Sequence, residues 1–244
     1  MGLQSTSERF IGGKHPIRDN LLLYLDTGNK KSYDNTGTTW TDLSGNTTHP
    51  TLEEGLGLDT ADIKGPMFEF DGSDDYVDTG QKLSFASATS NMSFEVWFKS
   101  NTVSATEAGG LITQGSGQGS FGIDLPYDGT LRMGVNGVSH AIASTTSTLT
   151  TNKYYCVVGT YATTPLTKIY LNGKFEAQST TNPNLTVAGL DNTNLKIGHK
   201  DETGGSSKQR YFDGKIAIVR IYEKTLSADE VAYNFSVDRG RFDI

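Results

Sequence analysis

Asn-Leu-Lys-Ile-Gly-His-Lys-Asp-Glu over residues 194–202, Tyr-Phe-Asp-Gly-Lys-Ile-Ala-Ile-Val-Arg-Ile-Tyr over 211–222 and Thr-Leu-Ser-Ala-Asp-Glu-Val over 225–231 make up the stretch whose pattern determines the fold. It reads as a strand, a polar loop, a long strand of β-branched and aromatic residues, and a helix start. Ser227 is placed to cap the backbone N–H of Glu230 while the Glu230 side chain reaches back, and Leu226 can staple onto Val231. The helix should run about two to three turns and stop by Gly240, with residues 236–244 assigned to a C-terminal tail.

Upstream, short apolar runs alternate with turn chemistry roughly every eight to twelve residues, the pattern of a sandwich or barrel. Leu21 to Asp26 opens the series, and Trp40 reads as a core plug. From Met92 to Lys99, a two-residue period puts Phe94, Val96 and Phe98 on one face and Glu95 and Trp97 on the other. Both faces therefore touch something. Asn136-Gly137, between Leu131–Val135 and Val138–Ala143, is the strongest hairpin signal. Adding Met67–Phe70, Tyr154–Tyr161, Lys168–Leu171, Phe175–Gln178 and Leu195–His199 gives roughly a dozen strands, which suits two packed sheets. Residues 1–18 lack periodicity and read as an N-terminal arm, mobile or docked, so the domain proper is expected over 19–235.

The 244 residues carry 28 acidic against 21 basic side chains, a net charge of −7, with no long basic run. Nucleic acid is a poor partner for such a surface. No apolar segment approaches the ~20 residues that span a bilayer, and the N-terminus lacks the apolar stretch of a secretory signal, so a soluble chain made in a cytosol is expected. Cys156 is the only cysteine and sits in a strand-like run, which reads as a buried inert thiol.

Four motifs in order carry a family resemblance: Phe70-Asp71-Gly72-Ser73-Asp74-Asp75-Tyr76-Val77, Ser93-Phe94-Glu95-Val96-Trp97-Phe98, Ile169-Tyr170-Leu171-Asn172-Gly173 and the 194–234 run. They resemble the concanavalin A-like, laminin-G-like (pentraxin-related) domain, which implies an all-β, two-sheet antiparallel jelly-roll sandwich with one short C-terminal helix. The opening Leu22–Asp26, the segments Ser32-Tyr33 and Thr38–Asn46, and the closing Tyr233–Phe242 resemble a subset of these domains seen in tailed-bacteriophage structural proteins.

That superfamily includes glycoside hydrolases with two carboxylates at alternate positions of one strand. The strand here offers only Glu95, with Ser93 and Trp97 beside it, so Glu95 reads as a hydrogen-bonded structural acid and no catalytic residue is assigned. His15, His49 and His140 lie in polar stretches and read as solvated. Gly117-Gln118-Gly119-Ser120-Phe121-Gly122 fits a dinucleotide pattern but leads into a strand, where no helix N-terminus can hold a pyrophosphate. Ile197–Glu202 resembles the pentraxin calcium loop, which implies Asp201 and Glu202 as metal ligands; Lys200 stands where that pattern favours an acid and could itself neutralise both. Calcium is thus the one candidate cofactor and none is required, a solvated acidic loop being the other reading. The Asp71–Asp75 run is calcium-like too, and tight-turn acids explain it equally well.

Tyr127, in Leu-Pro-Tyr-Asp-Gly, and Arg210-Tyr211 are the candidates for carbohydrate or partner contact, the tyrosines by stacking on a sugar face; covering a sandwich edge is the alternative for each. The resemblance implies a non-enzymatic structural or decoration protein of a tailed-phage virion. It would display its jelly roll on capsid or tail and meet host-surface glycan, with other virion proteins and copies of itself as partners. A soluble lectin-like module is the alternative, and a glycoside hydrolase the third reading.

Overall fold

The computed structural model describes residues 14–83, 91–103, 109–115, 121–126, 128–135, 141–162, 166–179, 193–201 and 210–244. In chain order the strands are β1 (Leu21–Asp26), β2 (Thr51–Glu53), β3 (Gly57–Asp59), β4 (Met67–Asp71), β5 (Tyr76–Asp78), β6 (Met92–Ser100), β7 (Gly110–Gln114), β8 (Phe121–Asp124), β9 (Arg132–Val135), β10 (Ala141–Ser144), β11 (Tyr154–Ala162), β12 (Leu166–Leu171), β13 (Lys174–Gln178), β14 (Lys196–Ile197), β15 (His199–Lys200), β16 (Arg210–Tyr211) and β17 (Asp213–Tyr222), followed by helix α1 (Ala228–Phe242). One antiparallel sheet runs β13-β12-β11-β6-β17-β4-β3, with β1 alongside the second half of β17; the other runs β10-β9-β8-β7-β14-β5-β2. The expected two-sheet sandwich is the observed architecture. β9 and β10 pair as expected, while the Asn136-Gly137 turn lies outside the described residues.

The alternation along β6 divides two cores. Phe94, Val96 and Phe98 join Trp40, Phe68, Phe121 and Ile197 between the sheets, and Trp97 faces outward into a second cluster under α1. There the Trp97 indole stacks against Phe235 at 5.6 Å and Phe242 at 4.8 Å. Cys156 is buried beside it, and burial pushes its thiol pKa up, which keeps it an inert thiol.

The helix begins as its sequence dictates: Ser227 Oγ accepts from the Glu230 N–H at 3.2 Å, and Glu230 Oε2 accepts from the Ser227 N–H at 2.9 Å. Its end differs from expectation. It continues through Gly240 for a total of 15 residues, so 236–242 of the expected tail is helix, closed by a left-handed cap at Asp243. Gly in a helix interior costs roughly 1 kcal/mol, whereas burying a Phe side chain contributes about 1.5–3 kcal/mol. Phe242 is 2% exposed, and Arg241 donates to Asp26 Oδ1 at 2.7 Å and to the Lys64 carbonyl at 2.9 Å, so tertiary contact outweighs the glycine. The described end of the arm also docks on the domain. Pro16 is buried, the Ile17 N–H donates to Asn234 Oδ1 at 3.0 Å, and Arg18 lies over the Tyr24 ring at 5.2 Å. Among the described residues no helix is long and apolar enough to cross a membrane.

Candidate functional site

The tripeptide Phe-Asp-Gly occurs twice, at 70–72 and 212–214. β4 and β17 pair so that Asp71 stands directly opposite Asp213 and Phe70 opposite Gly214. Opposed residues of an antiparallel pair point to the same face, so both carboxylates leave the end of the ladder on one side. Glycine is required at both positions: Gly72, in the turn after β4, has φ +78° and a Cβ there would lie 2.9 Å from Asp213 Cβ, while at Gly214, within β17 (φ +153°), it would lie 2.3 Å from the Lys99 carbonyl oxygen.

Asp71, Gly72 and Asp213 open onto a cleft of about 210 Å³ that is also lined by Ser100, Thr102, Pro126 and Tyr211. The Asn101 side-chain amide donates to Asp213 Oδ1 at 2.8 Å, and Asp71 Oδ1 accepts from the Ser73 N–H at 2.7 Å. Each carboxylate is thereby oriented through one oxygen. Tyr211 is held by the His199 ring at 4.7 Å, and Tyr76 packs on His199 at 5.6 Å. His199 is 1% exposed; burial and then the Lys196 charge, opposed by Asp201, bring its pKa down to about 4, so it is a neutral packing post. Burial, followed by the charges of Asp74, Asp201 and Glu54, pushes the Tyr211 phenol up, which keeps its hydroxyl protonated.

The sequence candidates are distributed as follows. Tyr211 lines the cleft, and so do Leu125 and Pro126, which immediately precede Tyr127; Tyr127 itself lies outside the described residues. Arg210 sits opposite Lys200 on the β15–β16 ladder and, as the strand neighbour of Tyr211, faces the other way. Asp201 lies 3.5 Å from Lys196 Nζ and 3.6 Å from His199 Nδ1, and Glu202 lies outside the described residues. Lys200 does not neutralise Asp201 as expected, because its ammonium reaches across to Asp124, which Arg132 also contacts at 3.0 Å. Asp201 is thus the one member of that candidate pair among the described residues, and calcium takes six to eight oxygens. Hard oxygens also gather at Asp71, Asp74 and Asp75, within 4.8 Å of one another, where Asp75 Oδ2 also accepts the Asp71 N–H at 3.0 Å in closing the turn.

Glu95 is 0% exposed, on the opposite side of its strand from the inter-sheet core. It accepts from Trp97 Nε1 at 2.8 Å, Arg220 Nη1 at 2.6 Å and Asn234 Nδ2 at 2.9 Å, so it is the structural acid its isolation suggested and no substrate reaches it. His15 and His49 are exposed, as expected, and His140 lies outside the described residues. The glycine-rich run at 117–122 ends in β8 and not in a helix, its residues 117–120 lying outside those described. Asp213 and Asn101 went unread in the sequence. The repeated Phe-Asp-Gly is the signal that could have found Asp213.

A laminin-G model of the concanavalin A-like lectin/glucanases superfamily matches residues 71–232. No curated protein matches the sequence significantly. Among solved structures, the binding domain of botulinum neurotoxin serotype C1 aligns with a TM-score of 0.66 at 18% identity, covering 91% of this chain and 52% of that one. The binding domain of botulinum neurotoxin DC in complex with SialylT gives 0.63 at 17% identity, with 91% and 52% covered. A mutant Trypanosoma rangeli sialidase displaying trans-sialidase activity gives 0.64 at 16% identity, with 91% and 33% covered. The chain therefore spans about half the length of the toxin domains and a third of the sialidase, and the likeness is one of fold.

Proposed function

The chain belongs to the concanavalin A-like lectin/glucanases superfamily, and on that premise we propose that it is a non-enzymatic carbohydrate-binding module whose site is the cleft at the two paired Phe-Asp-Gly segments. The observation that carries this is the placement of Tyr211 beside the paired carboxylates of Asp71 and Asp213. An aromatic face covers the apolar side of a sugar ring, and carboxylate oxygens accept hydrogen bonds from its hydroxyls, each charge-assisted bond contributing about 1.5–3 kcal/mol. The toxin domain solved in complex with SialylT supports sugar recognition on this fold. Against hydrolysis stands Glu95, the one acid on the strand where catalytic relatives carry two, sealed under α1.

Display on a tailed-phage virion is the finer part of the proposal, and its support is the resemblance of residues 22–26, 32–33, 38–46 and 233–242 to phage structural proteins. Co-sedimentation of the protein with purified particles tests it; a protein found wholly free of particles would leave the soluble module.

Glycan-array screening followed by titration calorimetry tests the binding reading. Saturable binding should weaken by about tenfold or more on Tyr211→Ala, or about 1.4 kcal/mol, with the circular dichroism unchanged. Binding indifferent to Tyr211→Ala would move the site elsewhere, and release of reducing ends from a bound oligosaccharide would make the protein an enzyme.

A further inference from the structure

Resting on the glycan-binding reading above, we infer that the cleft selects uncharged sugar residues and rejects those bearing a carboxylate or sulfate. Like charges placed directly opposite each other destabilise a strand pair, yet Asp71 and Asp213 are so placed at the mouth of the cleft. Asp74 adds a third acid on the same turn. No lysine or arginine is among the described residues that line the cleft. Among the described residues, the nearby lysines are engaged with other acids: Lys200 with Asp124, Lys196 with Asp201 and Lys215 with Asp59. Among the described residues, the side chains lining the cleft therefore bring negative charge and no positive charge.

An ionised carboxylate only accepts hydrogen bonds. Sugar hydroxyls can donate to both Asp71 and Asp213, whose orientation is set beforehand by the Ser73 N–H and the Asn101 amide. A sialic or uronic acid brings a third acceptor-only anion to two fixed ones, and gains repulsion in place of a hydrogen bond. The specificity assigned here thus runs opposite to that of a site built to hold a sialylated ligand.

The test uses the full chain on an array of matched oligosaccharide pairs that differ only in a terminal sialic or uronic acid, at low ionic strength with chelator and again with calcium. The expected result is binding of the neutral member, with its acidic partner weaker by about tenfold or more. The gap should narrow as salt screens the carboxylates. Asp213→Asn, which keeps a side-chain oxygen for Asn101, should narrow it as well. Equal or tighter binding of the acidic member overturns the inference, as does an unchanged ratio in Asp213→Asn. Loss of the discrimination on adding calcium also overturns it, because the carboxylates would then act as metal ligands. If neither member of any pair binds, the glycan-binding reading itself fails, a result distinct from inverted selectivity, and the inference falls with it.

Discussion

Replacing Glu95 by glutamine removes a charge without opening a cavity, which makes it a clean probe of the layer between sheet and helix. The carboxylate meets three buried donors: Trp97 Nε1 and Arg220 Nη1 on one oxygen, Asn234 Nδ2 on the other. A glutamine amide has one acceptor oxygen, so in either orientation at least one donor faces an N–H. Arg220, 0% exposed, would keep only Asp238 at 2.7 Å as a charged partner. Breaking a buried pair from one side costs about 3–5 kcal/mol, a large fraction of the roughly 5–15 kcal/mol that holds a domain together. The midpoint of thermal unfolding should fall by roughly 6–20 °C. Urea titration followed by tryptophan emission is the suitable assay, since the Trp97 indole is itself bonded to Glu95. A loss below about 1 kcal/mol would refute the reasoning, because it is the size expected of a solvated surface pair.

Asp62 offers a pH-dependent counterpart. Burial would raise its carboxyl pKa, yet hydrogen bonds from Lys99, Tyr154 and the Lys64 N–H, with the Lys99 charge, bring it from 3.8 to about 2. A carboxylate depressed in the folded state contributes stability above its unfolded value that is lost as pH falls through the folded one. The shift corresponds to at most about 2.4 kcal/mol, which screening at the sheet surface reduces to about 1–2 kcal/mol. Asp62→Asn should therefore cost that much at neutral pH and converge on the parent near pH 2; a constant offset across the range would disprove the linkage. Gly214→Ala should cost about 1–3 kcal/mol from backbone strain alone, and more because the new Cβ meets the Lys99 carbonyl at 2.3 Å. Equilibrium unfolding within about 0.5 kcal/mol of the parent would show that this start of β17 relaxes freely.

What could be read in the chain was what is local. The alternation of β6, the capping box at Ser227 and the Asn172-Gly173 turn between β12 and β13 depend on residues a few positions apart, and each occurs where the pattern placed it. The length of α1 was not legible, because Gly240 argues for a stop and the contacts that override it, Arg241 with Asp26 and Phe242 with Trp97, come from the opposite end of the chain and from β6. Glu95 could be identified as a structural acid from the missing second carboxylate, but Arg220 as its partner needed the register of β6 against β17. The cleft shows the same limit. Tyr211 stood out as an aromatic in a polar run, whereas the meeting of Asp71 with Asp213 exists only once β4 and β17 are aligned.

β17 has a polarity that bears on how the domain is held. Asp213 begins it at the cleft, and Tyr222 ends it opposite Leu21, where the chain arrives from Pro16 and Ile17. At about 3.3 Å per residue the two ends are roughly 30 Å apart. A support that grips the chain ahead of Leu21 consequently carries the cleft at the distal pole, a strand's length from the point of attachment. Copies mounted side by side on a surface would present their clefts as one outward-facing layer, so that modest affinity at each would combine into avidity for a glycan-coated surface.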